Sequence, residues 1–440
     1  MDSKQRVQDF ISNLKWRDLT EQVRHQSKRC LLDTLGALIA GTRTPVAELM
    51  AAFALEQYPG KETTILAGGS RSSAVGAALA NGFSGNALDI DDGYRMVKGH
   101  PGACILPVIL AACETAHSCS GEEFLTALVV GYELGIRAGV IRHALYPTYH
   151  ASGSWGALAG AAAAGRLLGL DAETIWQAMG AAEYHAPIAP MMKGIDVPAM
   201  VKDAIGWGCM VAMASVLMAR KGFTGIEPLF GDGPDEDWIA GIGTRYEILN
   251  LYFKPYAACR WAQPAVAGAL KLAAEHALRK EEILSITIRT FSAAAALSRA
   301  HPKNTEEAQY NLSFPVAAAL TDGEVGPRQV LPPRMLSGDL LSLADKVEVE
   351  VEDQYERAFP AKARAEVVIR TTDGRMLRSG TMEAIWEPPD TLPTDEELRK
   401  KFFWLVEPVL GGERAGELDA LIWNFEREAD ARVLPGKCVR

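Results

Sequence analysis

The chain of 440 residues carries only seven cysteines, widely spaced (Cys30, Cys104, Cys113, Cys119, Cys209, Cys259, Cys438), with no C-x-x-C pair. That pattern argues against a disulfide framework and a thiolate zinc site, and a reducing, cytoplasmic setting is expected. Positive charge is also in deficit: 45 Lys and Arg stand against 55 Asp and Glu, a net −10, and the basic residues are scattered. No nucleic-acid partner is expected. Long apolar runs are missing too. The longest, at 103–113, spans 11 residues before Glu114, and Met-Asp-Ser-Lys-Gln-Arg at the N-terminus is followed by no apolar core, so neither a membrane span nor a signal peptide is expected. H-E-x-x-H, G-x-S-x-G, Walker A and a complete G-x-G-x-x-G are all absent, and Gly231-Asp-Gly-Pro lacks the third glycine. Zinc, phosphate and dinucleotide chemistry lose ground, and no metal or cofactor is expected.

What is present is 48% hydrophobic residues, nine Trp and long Ala-rich stretches, enough for a large core and more than one domain. Apolar residues recur at three and four positions from 6 to 41, ending before Gly41 and Pro45, and the same period predicts helices over 73–87, 102–118, 121–142, 154–168, 172–182 and 204–221. From residue 283 the pattern changes. Ile283-Leu-Ser-Ile-Thr-Ile-Arg, Val347-Glu-Val-Glu-Val and Ala365-Glu-Val-Val-Ile-Arg read as strands, and Asp373-Gly374 predicts an antiparallel hairpin into a fourth strand over 376–382. Thr394-Asp-Glu-Glu then opens another helix, and helical periodicity returns over 405–428. The expected fold is mostly α with a second α+β domain: an all-helical domain over 1–266 with 396–440, and a smaller domain with an antiparallel sheet over 267–395.

The densest polar cluster is Ala87-Leu-Asp-Ile-Asp-Asp-Gly-Tyr-Arg-Met-Val-Lys-Gly-His-Pro-Gly, which puts Asp89, Asp91, Asp92, Arg95, Lys98 and His100 within twelve residues at the start of a helix, where an anion is favoured. The plain alternative is that the three Asp cap helices and pair with Arg95 and Lys98. His150, before another Ala-rich helix, is a second candidate. Lys202 lies among apolar residues, so it is either a proton carrier with depressed pKa or a cation paired with Asp203 or Asp196. Lys254 and Arg260 fall near the domain boundary, where small ligands bind, and Arg260 is suited to holding a carboxylate through both arms.

Taken together, Ser27-Lys-Arg-Cys-Leu-Leu-Asp-Thr-Leu-Gly, Ala87-Leu-Asp-Ile-Asp-Asp with His-Pro-Gly, Lys221-Gly-Phe-Thr-Gly and Lys254-Pro-Tyr-Ala-Ala-Cys-Arg-Trp resemble the MmgE/PrpD family over about residues 20–395. The family includes 2-methylcitrate dehydratase, cis-aconitate decarboxylase and iminodisuccinate epimerase. The resemblance implies a helical domain with a smaller α+β lid, a homodimer, a small anionic polycarboxylate as substrate, and active-site positions at Asp89, Gly93, His100, His150, Lys202 and Lys254. Gly93 stands where the family has Thr, Cys259 where it has His, and Phe314 where it has Tyr, with Tyr310 four residues away as a substitute.

The reading that follows is a metal-independent lyase, dehydratase or decarboxylase, working by proton transfer beside a carboxylate. His100, His150, Lys202 and Asp89 are its expected catalytic residues. Lys254, Arg260, Lys98, Asp92 and Tyr310 are expected to bind the substrate. An epimerase of an imino- or amino-dicarboxylate is the first alternative, and a catalytically silent ligand-binding relative the second.

Overall fold

Small residues decide how the first half of the chain packs. The structure, a computed structural model, describes residues 2–230, 236–299 and 301–439, so the Gly231-Asp-Gly-Pro segment lies outside the described residues. Ten helices precede that gap: α1 Ser3–Asn13, α2 Glu21–Gly41, α3 Pro45–Gln57, α4 Ala74–Asn86, α5 Pro101–Thr115, α6 Gly121–Leu145, α7 Gly153–Leu167, α8 Ala172–His185, α9 Met191–Asp196 and α10 Ile205–Ala219. Thr20, Ser73, Ser120 and Asp171 accept hydrogen bonds from backbone N–H groups of the first turns of α2, α4, α6 and α8, which sets where each begins. Helices α4, α5, α7, α8 and α10 pack on one another. At the α7–α10 crossing a Cβ on Gly208 would lie 2.7 Å from the Cα of Gly153, so these backbones can touch only as glycines.

The helical pattern over 6–41 is carried by two helices. The chain leaves α1 at Leu14, makes a 3₁₀ turn at Trp16–Asp18 and restarts where Thr20 caps α2. Helix α6 is long and apolar enough to cross a membrane, yet it is almost wholly buried in the protein and carries the buried Glu133–Arg137 ion pair (2.5 Å).

The chain is 59% helical, and its sheets are small. Two strands, β1 Thr63–Thr64 and β2 Arg71–Ser72, form a short antiparallel ladder inside the stretch expected to be purely helical. The larger sheet has the order β4-β3-β5-β6, with β7 also on β5: β3 Ile283–Thr290, β4 Val347–Val351, β5 Arg364–Thr371, β6 Met376–Arg378 and β7 Met382–Glu383. The expected β5–β6 hairpin is present, pairing Val368 with Arg378 and Arg370 with Met376. The chain is therefore not all-α, and the sheet is mixed rather than antiparallel: β4 runs parallel to β3, Ile286 beside Val347. The reason is the long connection of helices between them, which returns the chain to the end from which β3 started. Ile286 and Ile288 are buried while Thr287 and Arg289 are half-exposed, so one face packs and the other is wet.

At the C-terminus, helix Asp395–Leu410 opens with a Thr394–Glu397 capping box and packs on α2. The expected continuous periodicity over 405–428 is broken at Gly411 (φ +87°), after which Gly412–Trp423 begins.

Candidate active site

The loop between α4 and α5 folds back on itself through Tyr94 N–H to Gly99 O (3.0 Å) and is stitched to the chain at 252 by two hydrogen bonds, Gly93 N–H to Tyr252 O (3.0 Å) and Tyr252 N–H to Gly93 O (2.9 Å). With the Tyr252 ring where it lies, a Cβ at 93 would sit 2.2 Å from its hydroxyl oxygen, so a larger residue there requires the ring to move. The aromatic ring therefore fills the space of the missing side chain.

The three aspartates of this loop do three different jobs. Asp92 lies behind, its Oδ1 accepting from the N–H of Gly102 in the first turn of α5 (3.1 Å) and its Oδ2 from the Tyr132 hydroxyl (2.5 Å). Asp91 accepts from Asn86 Nδ2 (2.9 Å) and faces His100 Nδ1 at 3.1 Å. Asp89 faces His100 Nε2 at 3.4 Å and takes Lys254 Nζ at 2.8 Å. His100 is thus held between two carboxylates, and its backbone N–H donates to Ser152 Oγ (3.1 Å). Burial, the largest single influence, works to lower the His100 pKa, but the charge and hydrogen bond of Asp91 together with the charge of Asp203 overcome it and lift the imidazole to about 9. Burial pushes the Asp91 carboxyl up, and His100 brings it down to about 2. Asp92 goes the other way: burial, then the neighbouring charge of Asp33, raises it to about 7.

His100, Asp89 and Lys254 open onto a cavity of about 280 Å³ whose walls also include Lys98, Arg95 and Arg260. Tyr149, Asp203, Tyr252, Tyr310 and Cys259 complete its polar lining, and Met191, Trp261 and Phe359 contribute apolar surface. Residues 293, 310, 359 and 360 come from the sheet-bearing part of the chain, so the cavity lies where it meets the helical part. Asp203 accepts from Ser152 Oγ (3.0 Å) and from the Tyr310 hydroxyl (3.1 Å), which links the far wall to the residue that holds His100. Burial and the charge of Asp89 keep Cys259 a thiol, with a pKa of about 12.

Backbone strain collects here. Asp89 (φ +51°), Lys98 (+52°), Lys202 (+39°) and Ala204 (+54°) occupy the left-handed region that side chains disfavour, at a cost of order 1–3 kcal/mol each. Such strain persists only where surrounding packing imposes it, and it sets the direction of Asp89, Lys98 and Asp203.

Of the residues singled out in the sequence, Asp89, Lys98, His100, Lys254, Arg260 and Tyr310 meet around this cavity. Lys202, His150 and Asp92 do not line it. Lys202 Nζ donates to Asn86 O (2.5 Å) and Gln309 Oε1 (2.7 Å), its charge lies over the Tyr310 ring, and burial lowers its pKa against the pull of Asp89 and Asp91. His150 Nε2 lies 3.3 Å from Tyr146 O, and its ring sits beside His143. Phe314 is buried in helix Ser313–Asp322. Asp203 was considered in the sequence only as a charge partner for Lys202, and Tyr149 and Tyr252 were not singled out; the first two are the immediate neighbours of Lys202 and His150, which is the one signal that could have found them.

Asp89, Asp91 and His100 each bring one donor atom within 4.8 Å of one another, the geometry of a cation site. Lys254 on Asp89 and the raised pKa of His100 already place two positive charges at that spot, which makes the donor set a poor host for a third.

The MmgE/PrpD N-terminal domain model matches residues 5–235, and the MmgE/PrpD C-terminal domain model residues 256–427. A cis-aconitate decarboxylase-like protein of Aspergillus oryzae is 25% identical over 97% of this chain and 95% of its own length. The cis-aconitate decarboxylases of Aspergillus terreus and Homo sapiens are 23% and 25% identical, each over 96% of this chain and 92% of the relative.

Proposed function

From the premise that this chain belongs to the MmgE/PrpD family, we propose that it is a lyase acting beside a carboxylate of a small polycarboxylate, with His100 as its proton donor. The observation that carries the reading is the seat of His100 between Asp89 and Asp91 at the cavity wall. An imidazole lifted to about 9 is charged at neutral pH, so it begins the cycle by giving a proton rather than taking one. In a decarboxylation, CO2 departs, the electron pair of the broken C–C bond stays on the substrate as an enolate-like carbanion, and the His100 proton adds to that carbanion at carbon. In a dehydration, His100 protonates the departing hydroxyl as water while a second group removes the proton on carbon. Lys254 and Lys98 stabilise the enolate-like charge in both cases. Lys202 acts as a positioning residue through Gln309 and Tyr310, and Asp92 by holding the start of α5. His150 stays outside this scheme.

The test is proton NMR in deuterated buffer with EDTA, offering 2-methylcitrate, citrate, cis-aconitate and iminodisuccinate. New vinyl signals or CO2 loss establish the lyase; absence of turnover with all four sinks it as stated. Stereochemical inversion at the same carbon is a second reading, favoured by Tyr310, whose hydroxyl on Asp203 is a second proton donor at the cavity. Deuterium entry at the α-carbon without a new product would select it. The proposal includes a cytoplasmic homodimer. The exposed Tyr184, Ile188, Val197, Val201 and Phe223, within one stretch of chain, support pairing, and a monomer in sedimentation would remove that part.

A further inference from the structure

Arg260 lines the cavity, but its fork is already occupied. Its Nε and Nη2 donate to the two carboxylate oxygens of Glu387, each at 2.7 Å, and its guanidinium lies 5.2 Å over the ring of Tyr252. The two side chains are only 15% and 17% exposed, so the bidentate pair is poorly screened and geometrically specific.

Glu387 is held in place from its own backbone. Its N–H donates to Thr391 Oγ1 (3.0 Å), and its carbonyl accepts from both Thr391 N–H and Thr391 Oγ1 (3.0 Å each). Trp386, the residue before it, has φ +67°, a conformation a bulky side chain adopts only when its surroundings demand it, and its carbonyl is tied to Phe253 N–H (3.0 Å). The chain thus spends backbone strain to aim one carboxylate at Arg260.

The other charges can be set against one another. Lys254 sits on Asp89, and His100 lies between Asp89 and Asp91. Among the described residues, the cations that line the cavity without a carboxylate partner are Arg95 and Lys98, both exposed on the same loop. Arg95 Nη1 donates to Ala361 O (3.2 Å) and keeps its other donors free, while Lys98 Nζ lies over the Tyr149 ring at 5.4 Å.

We infer that Glu387 determines specificity: by filling the fork of Arg260 it withdraws one carboxylate anchor, leaves Arg95 and Lys98 to hold two, and selects a small dicarboxylate over a tricarboxylate. The inference rests on the polycarboxylate reading above. A third carboxylate on the ligand must either face Glu387 or displace it, and displacement leaves a part-buried carboxylate without its partner.

The experiment is calorimetric titration of the full chain with two inert probes, succinate and tricarballylate, which report binding apart from turnover. The unaltered protein is expected to bind succinate roughly tenfold or more tighter than tricarballylate. Glu387→Gln, which keeps the shape and removes the charge, is expected to reverse that preference by freeing Arg260, and Glu387→Asp to retain it; melting curves confirm folding, with Glu387→Ala as the second variant. Preference for tricarballylate in the unaltered protein overturns the inference without any variant. So does a ratio that Glu387→Gln and Glu387→Ala leave unmoved, and in both cases the polycarboxylate reading stands. Binding of neither probe removes that reading, and this inference with it.

Discussion

Two buried lysine–aspartate pairs flank the same loop. In front, Lys254 meets Asp89 at 2.8 Å on the cavity wall; behind, Lys401 meets Asp33 at 2.5 Å and donates to Ile90 O at 2.7 Å. The side chains of both pairs are almost fully buried, yet only the front pair shares its cavity with His100; Lys401 borders a separate, more open pocket beside Glu324 and Trp404. The difference teaches that the pairing itself is not the mark of a reactive site. A buried pair whose lysine also ties down backbone serves the fold, whereas the same pair beside His100 on a shared cavity wall can exchange partners with a ligand.

The sharpest way to break this comparison is to remove one lysine from each pair. Lys401→Met strands Asp33 in the helical core and is expected to cost about 3–5 kcal/mol in urea unfolding. Replacing Asp33 by Leu at the same time should recover most of that loss. Lys254→Met leaves Asp89 beside the cavity, where water can reach it, so its melting temperature should fall by much less while activity collapses. Equal destabilisation by the two variants would erase the distinction.

Next in size is His100→Gln, expected to lower kcat by roughly 10²-fold or more, because its role is proton transfer from a charged ring, and to lower the melting temperature as well, because the buried Asp91 loses its charged partner. The same substitution at His150, which does not line the cavity, should have a much smaller effect on rate. A comparable loss at His150 would return it to the site.

The front of the loop should also show its charge in a pH profile. Since His100 acts in its protonated form and its pKa is raised to about 9, kcat/KM should hold through neutrality and fall as pH rises through about 9. A limb near the ordinary imidazole value would contradict the two-carboxylate seat.

The smallest expected effect on rate belongs to Asp92, whose influence is on stability. Its folded pKa of about 7 lies above the ordinary carboxylate value, so between those limits the folded state binds a proton that the unfolded state has lost. Stability therefore declines as pH rises through that window and levels off above about 7. Asp92→Asn should flatten the decline seen in melting temperature against pH, with little change in kcat.

Much of this was legible from residue order. Helices α4 to α8 and α10 were marked by period, the helix from Asp395 by its Thr394 cap, and the β5–β6 hairpin by its Asp-Gly turn, because period, caps and turns are local chemistry. The breaks at Trp16–Asp18 and Gly411 were overlooked, since apolar periodicity runs on across both. The parallel seat of β4 could not be read from its own residues, because direction depends on where a long connection returns. In the site, the polar loop 87–100 stood out by composition, but Glu387 did not, being one glutamate among many in a Pro-rich turn.

Residue order alone determined the elements, the separation of a helical part from a sheet-bearing part, and the concentration of Asp, His and Lys in one loop, because period, capping and charge act over a few residues. The fold decided which of those charges face open space. Lys202 and Lys98 were both singled out in the sequence, but only Lys98 lines the cavity, and Lys401 was not singled out at all; left-handed backbone at 89, 98, 202 and 204 helps set which way these side chains face. Whether a buried charge is neutralised, solvated or free to bind depends on partners more than a hundred residues away, and only tertiary contact brings those together.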